Sequence, residues 1–127
     1  MSFCLQSHQE VIGFSVLKGA DDLEKQIDEK ISAFQFSGMQ GSRFSPGRWT
    51  VNHEFHFGGY AKRTDELLIF TEQFYFAHGV QLDYVYTAKM MFGLSELAAR
   101  GYFTPGTRIV AVHTGGLQGN RGFSCNP

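Results

Sequence analysis

Asp83, Tyr86, Thr87 and Lys89 crowd into one short stretch, and His113, Thr114, Gly115 and Gly116 form a second polar cluster further on. A phenol, a hydroxyl and an amine can hold or move protons, and adjacent glycines let backbone N–H groups approach an anion. Each residue also has a plainer use. Thr87 stands where a helix begins, the usual place for a threonine N-cap, and Asp83 suits the positive end of the helix dipole. Tyr86 can serve as packing, Lys89 as a solvated helix lysine, and Met90 and Met91 as core. His113 fits a satisfied core histidine as readily as a base. The glycines between residues 113 and 122 match neither the P-loop nor the dinucleotide fingerprint, so an exit turn is the simpler expectation. His53, Glu54 and His56 suggest a metal site, but in a strand residues 53 and 56 point to opposite faces and cannot share one ion. Gly38 and Gly41 with Arg43 and Arg48 fit either an anion loop or a solvated one.

The elements that must position these residues follow from periodicity. Residues 11–17 are a short β-branched apolar run and read as a buried strand. Asp21 and Asp22 open a helix carrying Leu23, Ile27, Ile31 and Phe34 at helical spacing, with Lys25 and Glu29 paired outside. Residues 37–48 form a Gly-, Ser- and Arg-rich loop, and 49–57 alternate as a strand that Gly58 and Gly59 break. Thr64 caps a second helix running to about Ala77, stopped by Gly79. A third helix spans 87–100, with Arg100 at its negative end and Gly101 closing it. After a Pro105-Gly106 turn, residues 109–112 are an uninterrupted apolar run of the kind found in parallel sheets. Strands alternating with helices predict an α/β fold with a mainly parallel sheet flanked by helices, short of a complete sheet.

Composition narrows the class. The 127 residues make one domain, and 13 Phe with 43% hydrophobic content argue against disorder. A net charge of −1 gives no electrostatic case for nucleic acid or an anionic membrane. No apolar run approaches a membrane span, and Cys4 and Cys125 read as free thiols, so the cytoplasm is the expected compartment.

Four ordered blocks carry a resemblance. They are residues 11–19, Gly58-Gly59-Tyr60-Ala61-Lys62, Leu82-Asp83-Tyr84-Val85-Tyr86-Thr87-Ala88-Lys89 and His113-Thr114-Gly115-Gly116. Over roughly Val11 to Gly122 the chain resembles the C-terminal half of the 1-aminocyclopropane-1-carboxylate deaminase and D-cysteine desulfhydrase family, pyridoxal-phosphate enzymes of the tryptophan synthase β-subunit fold. The resemblance implies a partial large domain of fold type II, residues 1–122 being the C-terminal portion of a catalytic domain and 123–127 a frayed tail.

It also implies roles. Tyr86 would lie over the cofactor beside a small amino-acid substrate, placed for proton transfer, with Tyr60 as a second active-site tyrosine. Thr87 stands where some members carry a carboxylate next to the pyridine nitrogen, Thr114 is the other hydroxyl candidate, and Gly115 joins the cofactor-binding loop. A hydroxyl partner leaves that nitrogen largely unprotonated, which favours β-elimination from a D-cysteine-like substrate over cyclopropane ring opening. Tyr84 and Ala88 stand where the family usually has Pro and Gly. None of Lys18, Lys25, Lys30, Lys62 or Lys89 lies in the motif of the family's Schiff-base lysine, and its phosphate cradle would fall upstream of Phe3. The expectation is therefore a C-terminal fragment, such as a truncated gene or a partial gene model, of a deaminase or desulfhydrase that is a homodimer when complete. The alternative is a non-catalytic remnant or interaction subunit.

Overall fold

The computed structural model describes residues 8–36, 47–118 and 120. Cys4, Cys125, the stretch from Gly38 to Arg43 and the expected tail lie outside them. The element order is β1 (Glu10–Phe14), α1 (Leu23–Phe36), β2 (Arg48–Asn52), α2 (Asp65–His78) and α3 (Thr87–Ala99). β1 and β2 pair in parallel, Val11 opposite Trp49 and Gly13 opposite Val51, with α1 as the crossover between them. This is the βαβ unit the periodicity predicts, and the α/β class with a parallel sheet holds.

Local chemistry sets the helix ends. Thr64 is extended (φ −111°, ψ 159°) and its hydroxyl accepts from the Leu67 N–H. Gly79 adopts the left-handed conformation (φ 66°) and donates its N–H to the Tyr75 carbonyl. Arg100 closes α3 and reaches sideways, pairing with Glu54 and Glu96 and lying over the Phe55 ring.

The core lies where α2 and α3 meet. Leu67, Leu82 and Ala88 are fully buried, with Phe57, Phe70, Phe74, Met91 and Phe92 packed around them. The Phe57 and Phe92 rings meet edge to face at 4.9 Å, and Phe70 meets Phe92 at 5.2 Å. Gly93 is what brings α3 onto the sheet: a Cβ there would sit 2.6 Å from Phe14 and 2.7 Å from Phe55. The methyl of Ala88, where the resembling family has glycine, is absorbed by this core without exposure.

All three expected strands change, and the first ends at Phe14 rather than Leu17 and is half-buried rather than buried. The second ends at Asn52, whose Oδ1 accepts the Glu54 N–H at 2.9 Å and turns the chain out of the ladder. Residues 53–62 then form a compact turn rather than the rest of a strand. The run 109–112 is not a strand among the described residues, and Val110 is 80% exposed. Its side chains suit burial in a sheet, but a strand needs a neighbouring ladder, and among the described residues β1 and β2 pair only with each other.

Candidate active site

The geometry is set by Asp83. This buried carboxylate accepts the N–H groups of Val85 (3.0 Å), Tyr86 (2.7 Å) and Thr87 (2.9 Å), the free donors at the start of α3. Its Oδ2 also accepts the Thr87 hydroxyl at 2.6 Å, and that hydroxyl in turn accepts the Asp83 N–H at 2.8 Å. Burial pushes the Asp83 carboxyl up, but bonds from the Thr87 hydroxyl and from the Thr87, Tyr86 and Val85 N–H groups outweigh it and hold the group below its ordinary value. The helix is thus capped by Asp83 four residues upstream, and Thr87 is the cap's partner rather than the cap. Its only proton is committed to Asp83.

Tyr86 projects outward from this capped start, 47% exposed. Its hydroxyl donates to the hydroxyl of Tyr60 in a long bond of 3.5 Å, with the rings 6.1 Å apart and edge to face. The bond to Tyr60, then burial, then the charges of Tyr60 and Asp83 raise the Tyr86 phenol above its ordinary value. Tyr60 comes from the 53–62 turn. There Phe57 (φ 52°), Gly58 (φ 91°), Gly59 (φ 122°) and Ala61 (φ 55°) all have positive φ, a conformation that is costly for Phe and Ala.

Lys89, expected in solvent, has no exposed surface. Its ammonium donates to the carbonyls of His56 (2.9 Å) and Gly59 (2.7 Å). Desolvation lowers its pKa. Spacing along a helix could not reveal this role, since its partners lie about thirty residues upstream.

The second polar loop docks on the first. His113 accepts the Gly115 N–H at Nδ1 (3.1 Å), so its other nitrogen carries the hydrogen and donates to the Gln81 carbonyl at 3.0 Å. Asn120 accepts the Tyr84 N–H and donates to the Leu82 carbonyl, both at 3.1 Å. Gly116 (φ 91°) lies against Asp83, where a Cβ would come within 3.2 Å of its Cγ. His113 is therefore a loop clamp. Thr114 is exposed, and its hydroxyl has no partner among the described residues.

His53 and His56 lie past the end of β2, so the opposite-face argument against a shared site does not apply to them. Both line an open cleft of roughly 530 Å³ at the C-terminal ends of β1 and β2, with Leu17, Gly19, Ala20, Asp21 and Glu24. His53 meets Glu24 at 2.6 Å, a bond that holds the Glu24 carboxyl below its ordinary value. His56 accepts the Gly58 N–H at Nδ1. Among the described residues no group of three His, Cys, Asp or Glu could hold a metal ion.

The donor set fits one side of pyridoxal phosphate only. Two exposed phenols and the exposed Thr114 hydroxyl offer hydrogen-bonding groups to a ligand. No amine suits the aldehyde: Lys89 is engaged by carbonyls, and Lys18, Lys25, Lys30 and Lys62 are exposed to solvent.

No protein-family model matches the sequence. Curated relatives do. The chain is 30% identical over 116 residues to a Pyrococcus furiosus protein named as a putative 1-aminocyclopropane-1-carboxylate deaminase, a match covering 91% of this chain and 33% of that protein. Proteins of the same name from Pyrococcus horikoshii and Pyrococcus abyssi match at 37% and 36% identity over 67 residues, 53% of this chain and 20% of each. No helix among the described residues is long and apolar enough to cross a membrane. Together with the parallel α/β fold, these matches are consistent with a segment of the 1-aminocyclopropane-1-carboxylate deaminase family, and the chain spans about a third of the length of the Pyrococcus furiosus relative.

Proposed function

We propose that this chain forms the substrate-facing wall of a pyridoxal-phosphate-dependent deaminase or desulfhydrase acting on a small amino acid. One observation carries the proposal: two phenols from separate elements, Tyr60 on a strained turn and Tyr86 on a capped helix start, meet at an accessible position. When bound, pyridoxal phosphate supplies the electron sink that labilises bonds at the α-carbon of the amino acid. The chain supplies proton handling. The raised Tyr86 phenol stays protonated at neutral pH and donates to the Tyr60 hydroxyl, which leaves the Tyr60 hydrogen to donate to an acceptor. The Thr114 hydroxyl is assigned to the pyridine nitrogen, since the Thr87 hydroxyl already donates its hydrogen bond to Asp83. Gly115 shapes the loop that presents Thr114. A hydroxyl at that nitrogen favours β-elimination from a D-cysteine-like substrate over opening of the cyclopropane ring.

The covalent and phosphate-binding parts would come from the length this chain does not match. The test is a chimera in which residues 11–118 replace the matching stretch of the Pyrococcus furiosus protein. It should release ammonia and an oxo acid, faster from D-cysteine than from 1-aminocyclopropane-1-carboxylate, with Tyr86→Phe slowing turnover about a hundredfold. A folded, cofactor-loaded chimera that releases ammonia from neither amino acid would sink the reading. The exposed run 109–112 favours a second reading, an interaction subunit that completes another polypeptide without catalysis. In that case the folded chimera would load cofactor and remain inert.

A further inference from the structure

We propose that Lys89 is a positioning residue that holds Tyr60 against Tyr86. The inference rests on the reading of these phenols as the working pair. Two consecutive turns carry Tyr60. The Gly59 N–H donates to the His56 carbonyl at 3.0 Å, and the Lys62 N–H donates to the Gly59 carbonyl at 3.2 Å. The Lys89 ammonium adds a second bond to each of these acceptors, 2.9 Å and 2.7 Å long. It therefore sits at the junction of both turns and uses two of its three donors there.

The opposite end of the linkage is equally short. Lys89 lies three residues after Tyr86 on the same helix start, which Asp83 locks through its bonds to the Tyr86 and Thr87 N–H groups. One rigid element thus carries the first phenol and the ammonium that fixes the turn bearing the second. The turn has reason to need fixing, because Phe57 and Ala61 are held in the left-handed region.

The arrangement is costly to build for packing alone. Burial lowers the pKa of the Lys89 ammonium, and its two bonds go to neutral carbonyls rather than to a carboxylate that would offset the charge. An apolar side chain of similar length would fill the space without that penalty. What it could not do is bind two carbonyls thirty residues away. Both carbonyls keep their own turn bonds, so removing the ammonium loosens the turn without orphaning either acceptor.

The test reads Tyr86 directly, in the whole chain, by 19F NMR of fluorotyrosine-labelled protein titrated with base. The groups facing the Tyr86 phenol are Tyr60 from the turn and Asp83 from its own loop. Tyr60→Phe removes the partner, and the Tyr86 titration should move down toward its ordinary value. Lys89→Met and Lys89→Gln should move it the same way, and Lys89→Arg should restore it. If either neutral variant folds and leaves Tyr86 titrating as in the parent while Tyr60→Phe shifts it, the proposal fails. It also fails if both neutral variants unfold while Lys89→Arg folds with Tyr86 titrating as in Tyr60→Phe. If they unfold and Lys89→Arg keeps the parent titration, the same readout is taken on Lys89→Met in the folded chimera, where an unshifted Tyr86 overturns it. The titration needs no catalysis, so an inert chimera with a Lys89-dependent Tyr86 would sink the function and leave the positioning role standing.

Discussion

The stretch from Leu82 to Lys89 and the stretch from Ile109 to Val112 are both rich in residues suited to the interior, yet the fold treats them oppositely. In the first, Asp83, Thr87 and Lys89 are buried and each polar group finds a partner within the chain. In the second, Ile109, Val110 and Val112 lie exposed. The difference is in reach. Asp83 satisfies donors two to four residues away, and Lys89 needs only the carbonyls of one folded turn. An apolar run that belongs in a sheet needs a whole neighbouring strand, and only the two-stranded β1–β2 sheet is present among the described residues. Polar networks close locally, whereas apolar strands depend on distant chain.

Substitutions can break or sharpen this contrast. The largest effect is expected at Asp83. Asp83→Ala leaves three N–H groups and a hydroxyl without their acceptor and should cost about 3 kcal/mol, read by chemical denaturation. The same carboxylate adds a pH signature. Its folded pKa lies below the ordinary 3.8, so its stabilisation is complete above that pH and lost as pH falls through the lowered value. The stability gap between parent and Asp83→Asn should accordingly close in strong acid; a gap unchanged by acid would show that the carboxylate charge contributes nothing. Gly116→Ala comes next. A methyl there meets Asp83 at 3.2 Å on a backbone with φ 91°, and a loss of about 1–2 kcal/mol is expected by the same measurement. The smallest effect belongs to Val110→Ser, within about 0.5 kcal/mol in this chain because the side chain is already in water. In the chimera, with its full sheet, the same change should cost several times more, and equal costs in both settings would erase the contrast.

The sequence disclosed what neighbours decide. Thr64 and Gly79 bound α2 as their chemistry predicts, and β1, α1 and α3 follow from periodicity. Alternation could not show that Asn52 would turn the chain out of β2, because the Asx bond competes locally with a pattern that still favours strand. Nor could it show Lys89 inside, since a lysine's default is solvent and its partners lie a turn and a helix away. The pairing of Tyr60 with Tyr86 was equally hidden from spacing; only the resemblance named both, and the fold brings them together.

The clasp between Asn120 and the 82–84 loop also bears on how this sequence can drift. Asn120 takes its hydrogen from the backbone of Tyr84, at the position where the resembling family usually has proline. Proline has no N–H to give. Tyr84 and Asn120 are thus exchangeable only as a couple: a proline at 84 removes Asn120's donor and leaves the Thr114 loop held by the Leu82 carbonyl and by His113 on Gln81. In a set of relatives, the two columns should change together.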